Sequence, residues 1–362
     1  MKKNKIFISI ASYRDSELIP TIENCIKNAK LPHNLVFGIS RQYHPDDKFD
    51  DLSKYKKDKR FKIIESLWNK SIGVCHARHE IQKLYNDEEF YFQLDSHHRF
   101  IKDWDTKIKK TFRSLIKKNH KKPIISSYLP SYDPDTKSKD EDKLNDVWRT
   151  YIDRFMPEGP IFIFPESIED KQAEPEPARF LSGHFIFANG SFVNEVPYDP
   201  KLYFHGEESS LAARAYTHGY DLFHLHRPWF WHHYTRSKGA RHWDDVEKWQ
   251  ELNNKSFLRF KQLFGMDGIR KKNFKKREEN SRENVLDPGI QEFFSFFIFF
   301  SSRGRQSPGK EQSQKPKTSL KIESSFGFSK LKIGSCFFFF SPAVIFSLFF
   351  IQPNSHFSSF FQ

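Results

Sequence analysis

The sequence predicts an α/β fold with a mainly parallel central sheet flanked by helices. Short apolar runs rich in β-branched and aromatic residues alternate with stretches of helical spacing. The chain has 362 residues, 37% hydrophobic and 29% charged, a globular mixture long enough for a core of real size. Its three cysteines, Cys25, Cys75 and Cys336, form no CxxC pair, which excludes a disulfide-stapled fold and a cysteine-rich zinc module.

The elements follow in order. Residues 5–13 read as a buried strand, and residues 17–29 place Leu18, Ile22, Cys25, Ile26 and Ala29 at helical spacing. Strands are expected at 34–40 and 61–67. A helix over 71–84, opened by Gly73, sets Ala77, Ile81 and Leu84 on one stripe. The run Glu-Phe-Tyr-Phe-Gln-Leu at 89–94 is a fourth strand, and 104–116 is a helix. This alternation implies a helix-covered parallel sheet, whose ligands lie beyond the carboxyl ends of the strands. A site is therefore expected after Ile10, Ser40, Leu67 and Leu94. Residues 130–178, rich in Pro, Asp, Lys and Glu, read as a surface excursion. Order resumes at 180–187, 205–220 and 222–234.

The carboxyl end changes character. Of 40 phenylalanines, 18 fall in residues 291–362, a stretch without Asp, Trp or Tyr. These runs have no period that defines a buried face. The folded domain is expected over 1–284, and residues 285–362 are expected to be a disordered Phe/Ser/Lys-rich tail. The apolar run Cys336–Ile351 is shorter than the ~20 residues a spanning helix needs, so a membrane anchor is disfavoured. No apolar signal segment follows the first lysines, which makes a cytoplasmic setting the expectation.

The net charge of +13 suits anionic partners such as nucleotides or phosphates. A non-catalytic polyanion or nucleic-acid binder is the competing class. It lacks support from any RNA- or DNA-binding signature, and the basic run Lys54 to Lys62 is interrupted by Asp58.

Asp95-Ser96-His97 follows the fourth strand. Residues two apart in extended chain share a face, so one carboxylate and one imidazole would project together at the strand end, a pair suited to a divalent ion. Alone, Asp-x-His is also what a strand-ending turn looks like.

The stretch Phe92-Gln-Leu-Asp95-Ser-His97-His-Arg99-Phe100 followed by Trp104-Asp105 resembles the metal motif of GT-A glycosyltransferases. It is most similar to that of the cytoplasmic polypeptide α-N-acetylglucosaminyltransferases, and polypeptide GalNAc-transferases carry a similar Asp-Ser-His. Further matches stand in order: residues 8–15, Gly73 to Arg78, Ser182-Gly183-His184-Phe185, His205-Gly206-Glu207-Glu208, Gly219-Tyr220-Asp221 and His232-His233-Tyr234-Thr235-Arg236. The resemblance covers residues 5–265.

It implies a GT-A nucleotide-diphospho-sugar transferase using Mn²⁺ or another divalent metal. The sugar would be GlcNAc or a related one, moved from a UDP-sugar to a hydroxyl on protein or glycan with retention; a UDP-hexose transferase with a different sugar is the nearest alternative. Nucleic acid is not an expected partner. Asp95, His97 and His232 are implied as metal ligands, with His233 the one-residue alternative. Glu207 and Glu208 are implied as the catalytic carboxylates. Ser12, Tyr13, Arg14 and Asp15 would lie by the nucleoside, Arg78 by phosphate or uracil, Arg236 by the diphosphate, and Ser182 and Gly183 by the sugar. Read without the resemblance, Asp15 is as readily a helix cap, Arg78 a solvated helix arginine, and the two glutamates a dipole-favoured first turn.

Overall fold

The computed structural model describes residues 2–135, 146–168, 173–235 and 239–266, together with the backbone of two strands near the carboxyl end. By internal contacts the chain divides into two compact units, residues 1–305 and 306–362.

The first unit opens with β1 (Lys2–Tyr13), α1 (Leu18–Asn28), β2 (Leu35–Tyr43), β3 (Phe61–Leu67), α2 (Val74–Gln82) and β4 (Glu88–Asp95). There follow β5 (His98–Phe100), α3 (Trp104–Lys117), β6 (Pro123–Ile125), β7 (Val147–Phe155), β8 (Ile161–Ile168), β9 (Glu176–Pro177) and β10 (Phe185–Asn189). It continues through α4 (Phe192–Glu195), α5 (Glu207–Thr217), β11 (Asp221–His224), β12 (Phe230–His232), α6 (His242–Asp245) and α7 (Trp249–Leu263). In the second unit β13 (Ser329–Ile333) and β14 (Cys336–Phe340) pair antiparallel.

Eight strands form one sheet in the order β3-β2-β1-β4-β10-β6-β11-β9. The β3-β2-β1-β4 half is parallel throughout. β10 runs antiparallel to both β4 and β6, and β11 returns parallel to β6. The expected mainly parallel sheet is thus present, with a mixed second half.

Alternation along the central strands sorts side chains into two apolar layers. Ile6, Ile8 and Ile10 of β1, with Phe90, Phe92 and Leu94 of β4, pack with Leu18 and Ile22 of α1 and Ile108 and Phe112 of α3. Phe7 and Tyr91 lie in the other layer, with Cys75 and Ile81 of α2 and Leu211 and Ala215 of α5. Each such burial contributes about 1.5–3 kcal/mol. The same period assigns Asp95 to the face of Tyr91 and Gln93, toward α2 and α5.

The amino-terminal elements lie within a few residues of their expected positions. The excursion over 130–178 is more ordered than its composition suggests: β7 and β8 form a separate two-stranded hairpin closed by a turn at Gly159. Its inner face buries Val147, Ile161 and Ile163. Helix α7 was not anticipated. Among the described residues no helix is long and apolar enough to cross a membrane.

Candidate active site

The site lies beyond the carboxyl end of β4. β12 pairs antiparallel with β5, with His232 opposite His98 and Trp231 opposite Arg99. This short ribbon carries His232 to the residues that follow β4. Asp95, His97 and His232 each aim one ligand atom at a common point, all within 4.8 Å of one another. His232 Nε2 lies 3.3 Å and His97 Nε2 3.9 Å from Asp95 Oδ2. His233 diverges: its ring packs against Tyr132, with centroids 5.8 Å apart.

Electrostatics match this donor set to a cation. Burial pushes the Asp95 carboxyl up, but Arg78 and the two imidazoles outweigh it and hold the group well below the usual range. Burial lowers His232 to about 4 against the opposing pull of Asp95. His98, edge-on to His232, and His184, tilted against it, are lowered well below their ordinary value, first by burial and then by His232. An anionic carboxylate beside the neutral His232 imidazole is the ligand chemistry a divalent transition metal takes.

Arg78 joins this corner to the carboxylates of α5. Its side chain is buried. One terminal nitrogen donates to Asp95 Oδ1; the other donates to Glu207 Oε1 and to the Tyr198 hydroxyl, 3.0 Å away. Tyr198 in turn donates to Glu207 Oε1 at 2.6 Å, and Gln93 Nε2 reaches both Tyr198 and the Gly183 carbonyl. Arg78, expected to meet phosphate, is therefore engaged by two acids of the chain.

Gly206, with φ of 93°, turns the chain into α5 and sets both glutamates in its first turn. The Gly183 amide donates to Glu208 Oε1 at 2.8 Å. Burial, offset by that amide, pushes Glu208 up to about 8, with Glu207 adding repulsion. Gly183 is needed for packing: a Cβ there would stand 2.9 Å from Glu207 Oε1 and 3.0 Å from Arg78 Nη1.

The residues after β1 divide. The Tyr13 hydroxyl and Arg14 Nη1 both donate to Asp245 of α6, at 2.9 and 2.8 Å, and Arg14 Nε donates to Asp47. Ser12 is buried, and its hydroxyl meets no partner among the described residues. Asp15, expected beside the nucleoside, instead faces Ser96 and His97. Ser182 is buried, its amide donating to Ser126 Oγ. Arg236 lies outside the described residues. Beyond the ends of β2 and β3 a cavity of about 130 Å³ is lined by Ser40, Gln42, Ser66, Ser71, Gly73 and His76.

Sequence reasoning missed Tyr128, Tyr198 and Gln93. Tyr128 stacks on Tyr234 and meets the His184 ring edge-on, within electrostatic reach of Glu208 and Asp95. No motif marks these residues; only the approach of distant elements does.

A protein-family profile described as Glycosyltransferase (GlcNAc) matches residues 5–59 and 50–297. No curated protein sequence matches the chain. The crystal structure of GalNAc-T7 with UDP, GalNAc and Mn²⁺ superposes with a TM-score of 0.52 at 15% identity, over 81% of this chain and 54% of that one. S. aureus TarS residues 1–349 with UDP-GlcNAc give 0.42 at 13% identity, over 68% and 64%. The chain spans about half the length of the GalNAc-T7 chain it matches. The sheet order, the helices on both its faces and a profile running through most of the first unit lead to one conclusion: the chain belongs to the Glycosyltransferase (GlcNAc) family and has the GT-A fold.

Proposed function

We propose that the protein transfers GlcNAc, or a related sugar, from a UDP-sugar to a hydroxyl on a protein or glycan, in a divalent metal-dependent reaction with retention. The observation that carries this reading is the convergence of Asp95, His97 and His232 at the lip of β4, beside the Arg78–Glu207–Glu208 array. GalNAc-T7 was crystallised with UDP and Mn²⁺, and the donor set here suits such an ion. When bound, the metal supplies Lewis-acid stabilisation of a departing diphosphate.

The chain's own groups do the rest. Arg78 keeps Asp95 anionic and fixes its direction. Glu208, protonated at neutral pH, is a hydrogen-bond donor to a sugar or acceptor oxygen, while Glu207 stays anchored by Arg78 and Tyr198. The cavity at the carboxyl ends of β2 and β3, lined by Ser40, Gln42 and Ser66 together with Ile64 and Ile72, is where the base would rest. Retention follows from same-face attack. The acceptor oxygen bonds the anomeric carbon as the carbon–oxygen bond to the diphosphate breaks with its electron pair, and the acceptor proton passes to that phosphate oxygen.

The test is a melting-temperature titration with UDP, with and without Mn²⁺. Stabilisation by UDP is expected to need Mn²⁺ and to vanish in Asp95→Ala. Metal-independent UDP binding would leave the ligand assignment unsupported. UDP release from UDP-GlcNAc with Mn²⁺ then checks catalysis, and mass spectrometry of products from a panel of UDP-sugars identifies the sugar.

A further inference from the structure

Asp15 sits at the entry to α1, only 4% exposed. Its two oxygens are occupied differently. Oδ1 accepts the Glu17 amide at 2.9 Å, which starts the helix. Oδ2 accepts the Ser96 hydroxyl at 2.5 Å and lies 2.6 Å from His97 Nδ1. Both oxygens already accept, Oδ1 from the Glu17 amide and Oδ2 from the Ser96 hydroxyl, so the donor in the last contact is Nδ1. A neutral imidazole protonated at Nδ1 keeps its lone pair on Nε2, the nitrogen that lies 3.9 Å from Asp95 Oδ2. The other implied imidazole ligand has no such support: His232 Nδ1 is buried without a partner among the described residues.

Resting on the metal reading of Asp95, His97 and His232, we infer that Asp15 is a positioning residue for the cation site: it fixes the tautomer and ring direction of His97 from behind. Carboxylates that hold a ligating histidine in this way typically change metal affinity roughly 10–100-fold when lost. The Ser96 hydroxyl donates its hydrogen to the same oxygen at 2.5 Å and lies 3.5 Å from His97 Nδ1, so the shorter 2.6 Å contact with Asp15 is the one that sets the tautomer. Asp15 therefore ties the start of α1 to the lip of β4, and a residue in the run after β1 serves the cation rather than the nucleoside.

Asp15→Asn discriminates. The Glu17 amide needs an acceptor, so the asparagine carbonyl takes the Oδ1 place and its NH₂ faces His97. Nδ1 then accepts, the proton moves to Nε2, and the lone pair aimed at the cation is lost. Mn²⁺ binding in the presence of UDP, followed by electron paramagnetic resonance, is expected to weaken roughly 10–100-fold in Asp15→Asn and by less than about threefold in Ser96→Ala. Equal Mn²⁺ affinity in wild type and Asp15→Asn, or an equal loss in Ser96→Ala, would overturn the inference. Nitrogen-15 NMR of the His97 ring in metal-free wild type needs no variant: the Nδ1–H form is expected, and an Nε2–H form sinks the assignment. Failure of wild type to bind Mn²⁺ at all would instead sink the metal reading, while the ring tautomer still reports on Asp15.

Discussion

The corner holding Asp95, His97 and His232 is rich in imidazoles, and burial lowers His232 among them, whereas the corner opened by Glu207 and Glu208 is built from carboxylates around one buried guanidinium. The same desolvation acts on both with opposite chemical results. It lowers His232 to about 4 and leaves a lone pair free, and it raises Glu208 to about 8 and leaves a proton in place. Arg78 touches both corners and is the reason they stand at a fixed distance. A lone-pair-bearing pole and a proton-holding pole are thus produced by one physical effect acting on two residue types.

Removing the shared guanidinium is the most severe way to break this contrast. Arg78→Ala leaves the part-buried Asp95 and the buried Glu207 without the guanidinium between them and is expected to cost about 3–5 kcal/mol, read by urea denaturation. A loss near zero would mean that the two corners are held apart by something else. Gly183→Ala presses a methyl group on the same array and is expected to cost about 1–3 kcal/mol in the same assay, with Mn²⁺ binding kept. The finest probe sharpens the acid corner alone. Glu208 holds its proton up to about pH 8 in the folded chain, against an ordinary carboxyl value of 4.5. Between those values the folded state binds more protons than the unfolded one, so this group's contribution to stability declines as pH rises through the window. Melting temperatures from pH 5 to 9 are expected to fall less steeply for Glu208→Gln than for wild type; parallel curves would show that Glu208 is ionised.

Much of the amino-terminal half could be read from sequence because its strands are short, apolar on both faces and punctuated by amphipathic helices. Asp95 and His97 were legible for the same reason, standing where such a strand stops. The choice between His232 and His233 was not, since a one-residue slip reverses which side chain points inward, and only the pairing of β12 with β5 decides it. The partners of Arg78 were hidden because they come from β4 and α5, elements that meet only in the folded chain. Asp15 misled through its neighbours: Tyr13 and Arg14 turn toward α6, while Asp15, just after the positive φ of Arg14, turns the other way. The hairpin over β7 and β8 was masked by the Pro- and Lys-rich residues flanking it, although Ile161-Phe162-Ile163-Phe164 is a plain strand signal taken alone.

His232 reaches Asp95 across 137 positions of chain. The third side chain of the cluster therefore joins the other two only after a long loop has closed, which carries its own entropic cost. The three side chains come together only where β12 docks against β5.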